Sequence, residues 1–368
     1  MKSKLKNICD LINEKISANE LINNNLASTY VSTESMLPNK RGITKPSSIP
    51  SKGTTTAYKK DDVLLSNIRP YFKKIWSANY DGVCSNDVLV FRAKNTADAN
   101  FLYYVLANDD FFVYSMATSK GTKMPRGDKA SIMKYEVESF DLNTQRKIAS
   151  ILKPIDKKIE LNNAINNNLE QQVSILYQSW FEDFEITNGV CPEDWSYQEL
   201  SSIADIASGK RPPVKSNVCN QETPISIVGA ASVMGFTSEA NHTDKILVTG
   251  RVGTHGVVQR FNTPCWTSDN TLVITSPYYE FTNQILHRID YSSMNRGSTQ
   301  PLITQGDMKK VVVLVPDENT LAKFEEFAGS LMIKWEANNK ENVKLASLRD
   351  TLLPKLMSGE LDVSKIDL

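Results

Sequence analysis

Apolar residues recur in alternating steps of four and three along two long stretches of the chain. One stretch runs from Ile148 to Trp180, and the other runs from Phe324 to Leu356 with a break at Arg349. Such spacing places the residues on one side of an α-helix and is typical of a coiled-coil seam. The pattern predicts two long helices that pair, although composition alone would suggest polar linkers for runs such as NNAINNN.

The two stretches belong to an internal repeat that covers most of the chain. Residues 159–181 align with residues 335–357 at an offset of 176. Further upstream, CSNDVLVF (84–91) aligns with TSDNTLVI (267–274) at an offset of 183, which requires a loop-sized insertion. Each half therefore consists of strands and turns followed by one long helix.

Four asparagines occupy the predicted seam near the middle of the two helices. A pseudo-twofold relation between the halves would make the helices antiparallel and set Asn162 against Asn342 and Asn166 against Asn338. Buried seam asparagines can fix the register of a helix pair, and we predict this role for all four. The alternative is that the matches reflect an asparagine-rich composition.

Short runs of β-branched and aliphatic residues fill the segments before each long helix. Examples are VLLSNI (63–68) and TLVIT (271–275), bounded by Gly, Asn, Asp and Pro. One helix is predicted in each segment, at 100–116 and 280–289. The predicted fold class is α+β, with two β-rich domains joined by two long antiparallel coiled-coil helices. The predicted segments are domain 1 (1–143), the central helix (144–186), domain 2 (187–317), and the C-terminal helix with its tail (318–368).

Composition places few limits on the partners of the chain. Lysine plus arginine equals aspartate plus glutamate at 42 each, so net charge gives no reason to propose nucleic acid. The five cysteines lack CxxC spacing and there are only three histidines, which indicates neither a disulfide framework nor a zinc site. We expect a cytoplasmic protein, because the sequence shows neither an apolar run long enough to span a membrane nor a signal-peptide pattern.

Basic and polar residues nevertheless cluster where loops are predicted. Residues 1–143 carry 20 basic and 15 acidic side chains, whereas residues 191–316 carry 10 and 11. Arg, Lys, Ser, Thr and Gln in glycine-punctuated loops are the types that bind phosphates and base edges, although single clusters are more often solvated surface. The candidate DNA contacts are Lys40, Arg41, Arg69, Lys73, Lys74, Lys120, Thr122, Lys123, Arg126, Lys210, Arg211, Arg251, His255, Arg296, Ser298, Thr299 and Gln300.

Catalytic signatures are missing from the sequence. GRVGTHG (250–256) lacks the spacing of a nucleotide-binding loop, and a glycine turn is the better interpretation. His242, His255 and His287 have no metal-ligand spacing and suggest no nucleophilic triad. We therefore predict no catalytic and no metal-binding residue, although a loosely spaced Asp/Glu/Lys nuclease site stays open.

Several segments, together with the duplicated plan, resemble a known family. They are LRDTLLPKLMSGEL (348–361), LEQQVSILYQSWFEDF (169–184) and WSYQELSSIADIASGKRP (195–212). These segments look like those of the DNA-specificity subunit of Type I restriction-modification systems, over essentially the full chain. The resemblance implies that the β-rich domains are target-recognition domains, each for one half of a bipartite site, and that the helices hold them apart.

The resemblance also implies partners and cofactors. The chain itself would be noncatalytic and would bind double-stranded DNA, two methyltransferase (modification) subunits and a restriction/translocase subunit. S-adenosylmethionine, ATP and Mg would then be bound by those subunits and not by this chain. The helices and the SGEL tail would form the docking surface for the methyltransferase.

Few site residues can be carried over from the family. Arg69 and Arg251 follow matched strands and are our candidates for phosphate contacts. Domain 1 lacks the tryptophan-bearing lead-in that Trp195 supplies to domain 2. The family's recurrent G-S/T-x-x-P turn, expected near the DNA, matches Gly121, Thr122 and Pro125 in the first half and Gly297, Ser298, Thr299, Gln300 and Pro301 in the second.

Two other functions stay open at this point. A self-contained restriction enzyme with an unrecognised active site would cleave DNA with a metal ion and no partner. A coiled-coil scaffold that presents two β-rich modules to another ligand would fail to bind any duplex, whatever the salt concentration.

Overall fold

The structure, a computed structural model, describes residues 2–24, 26–294, 296, 302–364 and 366. The chain divides into two compact units. The first unit comprises Met1–Asn162 and Lys340–Leu368, and the second comprises Asn163–Asn339. Each unit contains one β-rich body and part of each long helix, and we describe each unit by itself.

The described residues of the first unit form ten short strands, four short α-helices and the first part of a long helix. In chain order these are β1 (Lys2–Lys4), β2 (Cys9–Ile12), β3 (Lys15–Ser17), α1 (Ala18–Asn23), β4 (Tyr30–Val31), β5 (Thr54–Tyr58), β6 (Val63–Ser66), β7 (Ile75–Ser77), β8 (Gly82–Cys84), β9 (Val88–Ala93), α2 (Ala99–Ala107), α3 (Asp109–Ala117), α4 (Lys129–Ile132), β10 (Glu136–Glu138) and the long helix α5 (Leu142–Phe181).

Three sheets organise the first body. Their strand orders are β2-β9-β6-β7, β3-β5-β8-β4 and β1-β10. Strand β9 lies inside the first of these and is buried on both faces, since side chains alternate along a strand. Leu89 and Phe91 join the core that includes α2, whereas Val88 and Val90 join a second core around Tyr58. This double burial explains why VLVF is continuously apolar.

The second unit follows a similar order of elements. They are β11 (Ser196–Glu199), β12 (Asp205–Ser208), β13 (Ile225–Val228), β14 (Val233–Thr237), β15 (Ile246–Gly250), β16 (Gln259–Phe261), β17 (Cys265–Thr267), β18 (Thr271–Thr275), α6 (Tyr279–Arg288), α7 (Gln305–Lys309), β19 (Val312–Val315) and the second long helix α8 (Glu318–Ser358).

Two sheets of the second unit repeat those of the first, whereas the third, β14-β13-β17, differs from β3-β5-β8-β4 in its outer strands. The order β12-β18-β15-β16 matches β2-β9-β6-β7, and the pair β11-β19 matches β1-β10. Strand β17 pairs in parallel with β13, as β8 does with β4. On its other side β8 pairs with the full strand β5, whereas β17 has only a single bridge, between Cys265 and His242. The fold is α+β with an internal repeat, as the sequence predicts.

One predicted helix is wrong in its extent. Residues 100–116 were expected to form a single helix, but α2 ends at Ala107 and α3 begins at Asp109. Asn108 between them has an extended backbone with ψ 138°, and its side chain accepts a hydrogen bond from the Asp110 amide at 3.3 Å. Asparagine favours such capping positions over helix interiors, which explains the break.

The long helices pair through their asparagines in both units. In the first unit Asn162 donates to the Asn342 side chain at 2.9 Å, and in the second Asn338 donates to the Asn166 side chain at 2.8 Å. In the first unit the earlier part of α5 lies beside the later part of α8, and in the second unit the later part of α5 lies beside the earlier part of α8, so the helices are antiparallel. The role of these pairs in fixing register stays a prediction.

A charged residue, Arg349, occupies the break in the predicted seam. Arg349 points inward with 9% exposure, whereas its neighbour Leu348 is 48% exposed. The Arg349 guanidinium donates to Asp156 of α5 at 2.9 Å, and Tyr104 of α2 donates to the same carboxylate at 2.8 Å. A buried ion pair with additional hydrogen bonds thus replaces apolar packing at this level of the first unit.

Candidate DNA interface

Two loops lie side by side in the first unit, and we call them the first loop pair (residues 67–74 and 119–127). The Arg69 amide donates to the Pro125 carbonyl at 2.8 Å, and the Gly127 amide donates to the Asn67 carbonyl at 3.2 Å. The first loop directly follows strand β6. Backbone hydrogen bonds thus join two segments that both contain predicted DNA contacts.

A corresponding loop pair lies in the second unit, where residues 251–257 contact residues 302–303. The Ile303 amide donates to the Arg251 carbonyl at 3.0 Å, and the Arg296 amide donates to the Leu302 carbonyl at 3.1 Å. The first of these loops directly follows strand β15. The predicted contacts Ser298, Thr299 and Gln300, with Gly297 and Pro301 of the same turn, lie outside the described residues.

The hydrogen bonds show which positions correspond in the two loop pairs. The Asn67 amide donates to the Asp87 carbonyl at 2.8 Å, and the Arg251 amide donates to the Asn270 carbonyl at 2.8 Å. Asp87 and Asn270 are matched by the repeat. Arg251 therefore occupies the place of Asn67 and not that of Arg69, because the alignment shifts by one residue between β9 and β6.

Arg69 and Arg251 nevertheless share an unusual environment. Both side chains are half-buried, and the Nε atom of each is buried without a hydrogen-bond partner among the described residues. A shielded guanidinium N–H without an acceptor is costly, and most such groups find one. Because the side chains are only half-buried, part of each arginine is accessible to a bound molecule, which keeps both residues as candidates for phosphate contacts.

Three other predicted contacts of the first unit are held inside the fold. The Lys40 side chain is 6% exposed, and its Nζ lies 2.9 Å from the Asp109 carboxylate. Lys73 lies 2.7 Å from the other oxygen of the same carboxylate. Lys74 donates to the Thr33 carbonyl at 2.6 Å, and burial lowers its pKa. Their ammonium groups already have partners, so we omit these three lysines from the proposed DNA face.

The remaining candidates of the first unit are exposed. Lys120 pairs with Asp128 at 2.8 Å, and this hydrogen bond contributes most to lowering the pKa of Asp128 to about 2. Arg126 lies 3.3 Å from Asp87 while its side chain stays 54% exposed. Exposed pairs of this kind are weak and exchange readily for phosphate. Arg41, Thr122 and Lys123 are exposed as well.

The second unit offers fewer cations at its loops. Lys210 and Arg211 are exposed, and the Lys210 carbonyl is fixed by the Trp266 indole N–H at 2.8 Å. Arg296 is exposed but pairs with Asp307 at the start of α7. The Nδ1 atom of His255 lies 3.1 Å from the Gly250 carbonyl, while its Nε2 is buried without a partner among the described residues.

Sequence reasoning passed over two exposed residues of the first loop pair. Tyr71 is 49% exposed and Phe72 is 38% exposed, and both lie in the single turn Pro70–Phe72. The signal was present in the run RPYFKK, in which two aromatic residues stand between cations.

A search of the described part of the chain finds no group of His, Cys, Asp and Glu side chains that could hold a metal ion. Among the described helices, none combines the length and the apolar character needed to cross a membrane.

Comparison with known proteins identifies the family. The model of the Type I restriction modification DNA specificity domain matches residues 1–171 and again 192–345. The HindI specificity subunit of Haemophilus influenzae is 23% identical, with 83% of this chain and 87% of that protein covered. The MjaIX specificity subunit of Methanocaldococcus jannaschii is 24% identical, with 74% and 71% covered.

A solved structure has a similar fold. The S subunit of a Type-I restriction-modification system from M. genitalium superposes with a TM-score of 0.56 at 18% identity, over 97% of this chain and 96% of that one. The two family matches fall on the two halves of the internal repeat. The chain therefore belongs to the Type I restriction-modification DNA-specificity family.

Proposed function

We propose that this chain recognises a bipartite DNA site, with the loop pair of each unit bound to one half of the site. The observation that carries the proposal is the repeated loop pair, built after matched strands and closed by matched backbone hydrogen bonds. As a member of its family the chain is a DNA-specificity subunit, and the chemistry belongs to its partner subunits. A self-contained restriction enzyme and a simple scaffold are not favoured.

Different cations of each loop pair would contact different phosphates. Arg69 and Arg251 would contact phosphates next to each body, because each is a partly exposed cation in its loop pair. Exposed Lys123 and Arg126 in the first unit, and Arg211 in the second, would add further phosphate contacts. Phosphate contacts position a protein on the duplex, whereas sequence is read by groups that reach the bases.

The partners follow from the family as proposals. Two methyltransferase subunits and a restriction/translocase subunit would assemble on this chain, and S-adenosylmethionine, ATP and Mg would be bound by those subunits. Directed by this chain, the complex would methylate adenine at its site or cleave unmodified DNA. The long helices are the natural docking surface, since their outer faces expose large apolar side chains such as Ile175, Ile333 and Val343.

The test is DNA binding by the assembled methyltransferase complex. Replacing Arg69 and Arg251 by glutamine should weaken binding and reduce the slope of log affinity against log salt by roughly two phosphate contacts. The site chosen should not change. Lys60→Gln with Lys310→Gln, which removes two exposed cations outside the loop pairs and the long helices, is the control and should leave that slope closer to the wild-type value. Failure of the wild-type complex to bind any duplex at low salt would overturn the proposal.

A further inference from the structure

Backbone strain is concentrated beside the first loop pair. Seven described residues other than glycine have positive φ, and four of them lie here: Asn39 (57°), Lys40 (61°), Arg69 (51°) and Lys73 (51°). Two backbone hydrogen bonds join these segments, from Asn39 to the Phe72 carbonyl and from Lys40 to the Lys73 carbonyl. Left-handed backbone is costly for such residues and persists only where the surroundings enforce it, most often at functional sites.

A chain of alternating charges supplies that enforcement. Lys73 lies 2.7 Å from Asp109, and Lys40 lies 2.9 Å from the other oxygen of the same carboxylate. Lys40 also lies 3.8 Å from Asp350, which Arg349 contacts at 2.9 Å. Because Asp350 and Arg349 belong to α8, the chain of charges connects the strained loop to the long helix of its own unit.

This chain of charges is structural, not a set of incidental surface pairs. Its central ammonium, on Lys40, is nearly excluded from water, and its last member, Arg349, is buried in the helix seam against Asp156. The two buried members, Lys40 and Arg349, are cations, and removing a carboxylate that faces one of them leaves a buried charge with less compensation. The position of the loop is thereby coupled to α8.

The turn held in this way presents two aromatic rings to solvent. The ring centres of Tyr71 and Phe72 lie 4.7 Å apart, and the Lys74 ammonium lies 5.8 Å from the Phe72 ring centre. Adjacent exposed rings on a strained turn do not serve the core, and they are not explained by packing. Aromatic rings that stand two and three residues from Arg69, the proposed phosphate contact, suit insertion against the bases of a duplex.

We propose that Tyr71 and Phe72 form an aromatic tip that contacts the bases of the first half-site, and that Lys40, Asp109 and Asp350 are positioning residues for this tip. The inference rests on the proposed function, because it requires the first body to face DNA. The charge chain orients the tip before DNA binds, so the cost of ordering the turn is met during folding.

The second unit provides an internal control. The loop after β15 has Thr254 and His255 at the matching tip and two glycines at the left-handed positions, Gly253 (85°) and Gly256 (78°). Substitutions in the first loop should therefore affect one half of the DNA site only.

The experiment measures adenine methylation across the genome by the full chain co-expressed with its methyltransferase subunits. Tyr71→Ala with Phe72→Ala should lower methylation at the target at least tenfold and relax one block of the motif while the other block stays intact. Tyr71→Phe with Phe72→Tyr keeps both rings and should retain methylation. Tyr197→Ala removes a more exposed ring, on β11, and should have no effect.

The positioning role is tested by a pair of matched variants, one at Asp109 and one at Asp110. Asp109→Asn breaks the charge chain, whereas Asp110→Asn removes the same charge from the neighbouring exposed residue. Asp109→Asn should reduce methylation about threefold to tenfold and relax the same block as the alanine pair, with the salt dependence of DNA binding unchanged. A purely structural role would lower thermal stability without relaxing one block.

The outcomes separate the two proposals. A wild-type complex that methylates a bipartite motif, with folded alanine-pair and Asp109→Asn variants that methylate it equally well, would overturn the inference and leave the proposed function standing. Relaxation of both blocks together would also overturn the inference, because the tip would not be local to one half. A wild-type complex that methylates nothing would overturn both.

Discussion

The loops after β6 and β15 each contain two left-handed residues, but the residue types differ. Arg69 and Lys73 adopt positive φ in the first unit, where the second unit has Gly253 and Gly256. Glycine takes this conformation without steric cost, whereas a residue with a Cβ must be held in it. The first unit therefore needs the chain of charges to hold its loop. It also carries the side chains of Arg69 and Lys73 where the second unit has glycine.

The seam of the long helices also contains a charged pair in the first unit where the second unit has apolar residues. Asp156 and Arg349 form a buried ion pair in the first unit, while the repeat places Met332 and Val173 at the corresponding positions of the second, both within its apolar core. Apolar replacement of a buried ion pair is often neutral or stabilising. Since the second unit shows that an apolar pair fits this plan, we attribute the ion pair to its connection with the loop and not to stability.

The largest effect expected from this comparison is on Arg349. Arg349→Val leaves the Asp156 carboxylate buried with only the Tyr104 hydroxyl as donor, and should destabilise the protein by about 3–5 kcal/mol. Adding Asp156→Met reproduces the apolar pair of the second unit and should recover most of the loss. Urea unfolding measures both. Equal stability of the single and double variants would show that the ion pair is not coupled.

The asparagine pairs test what the two seams have in common. Replacing Asn162, Asn166, Asn338 and Asn342 by leucine should raise stability by about 2 kcal/mol or more while loosening the register, as for seam asparagines in coiled coils. Thermal unfolding measures the first effect, and cysteine cross-linking across the helices measures the second. If stability and cross-linking pattern both stay unchanged, the register role is wrong.

A buried carboxyl makes the second unit sensitive to pH. Glu325 of α8 accepts hydrogen bonds from the Glu280 and Phe281 amides at the start of α6, and burial raises its pKa to about 7 from the usual 4.5. A raised pKa means that the folded state holds the proton more tightly, so its stabilising contribution is present at low pH and is lost as pH rises through 7.

Glu325→Gln should remove this dependence. Between pH 5 and 8 the wild-type protein should lose about 2 kcal/mol more stability than the variant. His242 and His287, whose pKa values burial lowers, remain in both proteins, so their opposite dependence cancels in the difference. Parallel stability curves for the two proteins would contradict the assignment.

The smallest effect concerns glycine in the second loop. Gly253→Ala meets no atom within 4 Å of the added Cβ, so any cost comes from its φ of 85° alone and should be about 1 kcal/mol. The matched change Arg69→Gly should lose little stability, because it relieves strain in the first loop. Thermal unfolding of both variants checks the contrast, and an equal loss at both positions would contradict it.

The sequence predicted the parts of the fold that depend on local periodicity. The helix pair follows from steps of four and three, and the repeat follows from offsets of 176 and 183 residues. The antiparallel direction follows from the pseudo-twofold relation between the halves. Periodicity places position 349 on the seam but does not identify its ion-pair partner, because Asp156 lies 193 residues away. Sequence patterns carry no information about a pair of this kind.

At the candidate site, too, the sequence did not reveal contacts between residues that lie far apart in the chain. Exposed cations such as Lys123 were identified by residue type, but Lys40 and Lys73 were assigned to DNA although they pair with Asp109, far along the chain from both. Arg251 was matched in role with Arg69, yet its hydrogen bonds place it at Asn67. Loop registers shift by single residues between repeats, and only the backbone contacts of β6 and β15 reveal the shift.

The most direct test of the account is a methylome. The chain is co-expressed with its methyltransferase subunits in cells that lack other adenine methylation, and the DNA is sequenced for modified adenine with and without this chain. We predict a motif of two short blocks separated by a fixed nonspecific gap, present only when the chain is expressed. Soluble, associated proteins that leave the DNA unmodified, or a single continuous motif, would contradict recognition of a bipartite site by two repeated bodies.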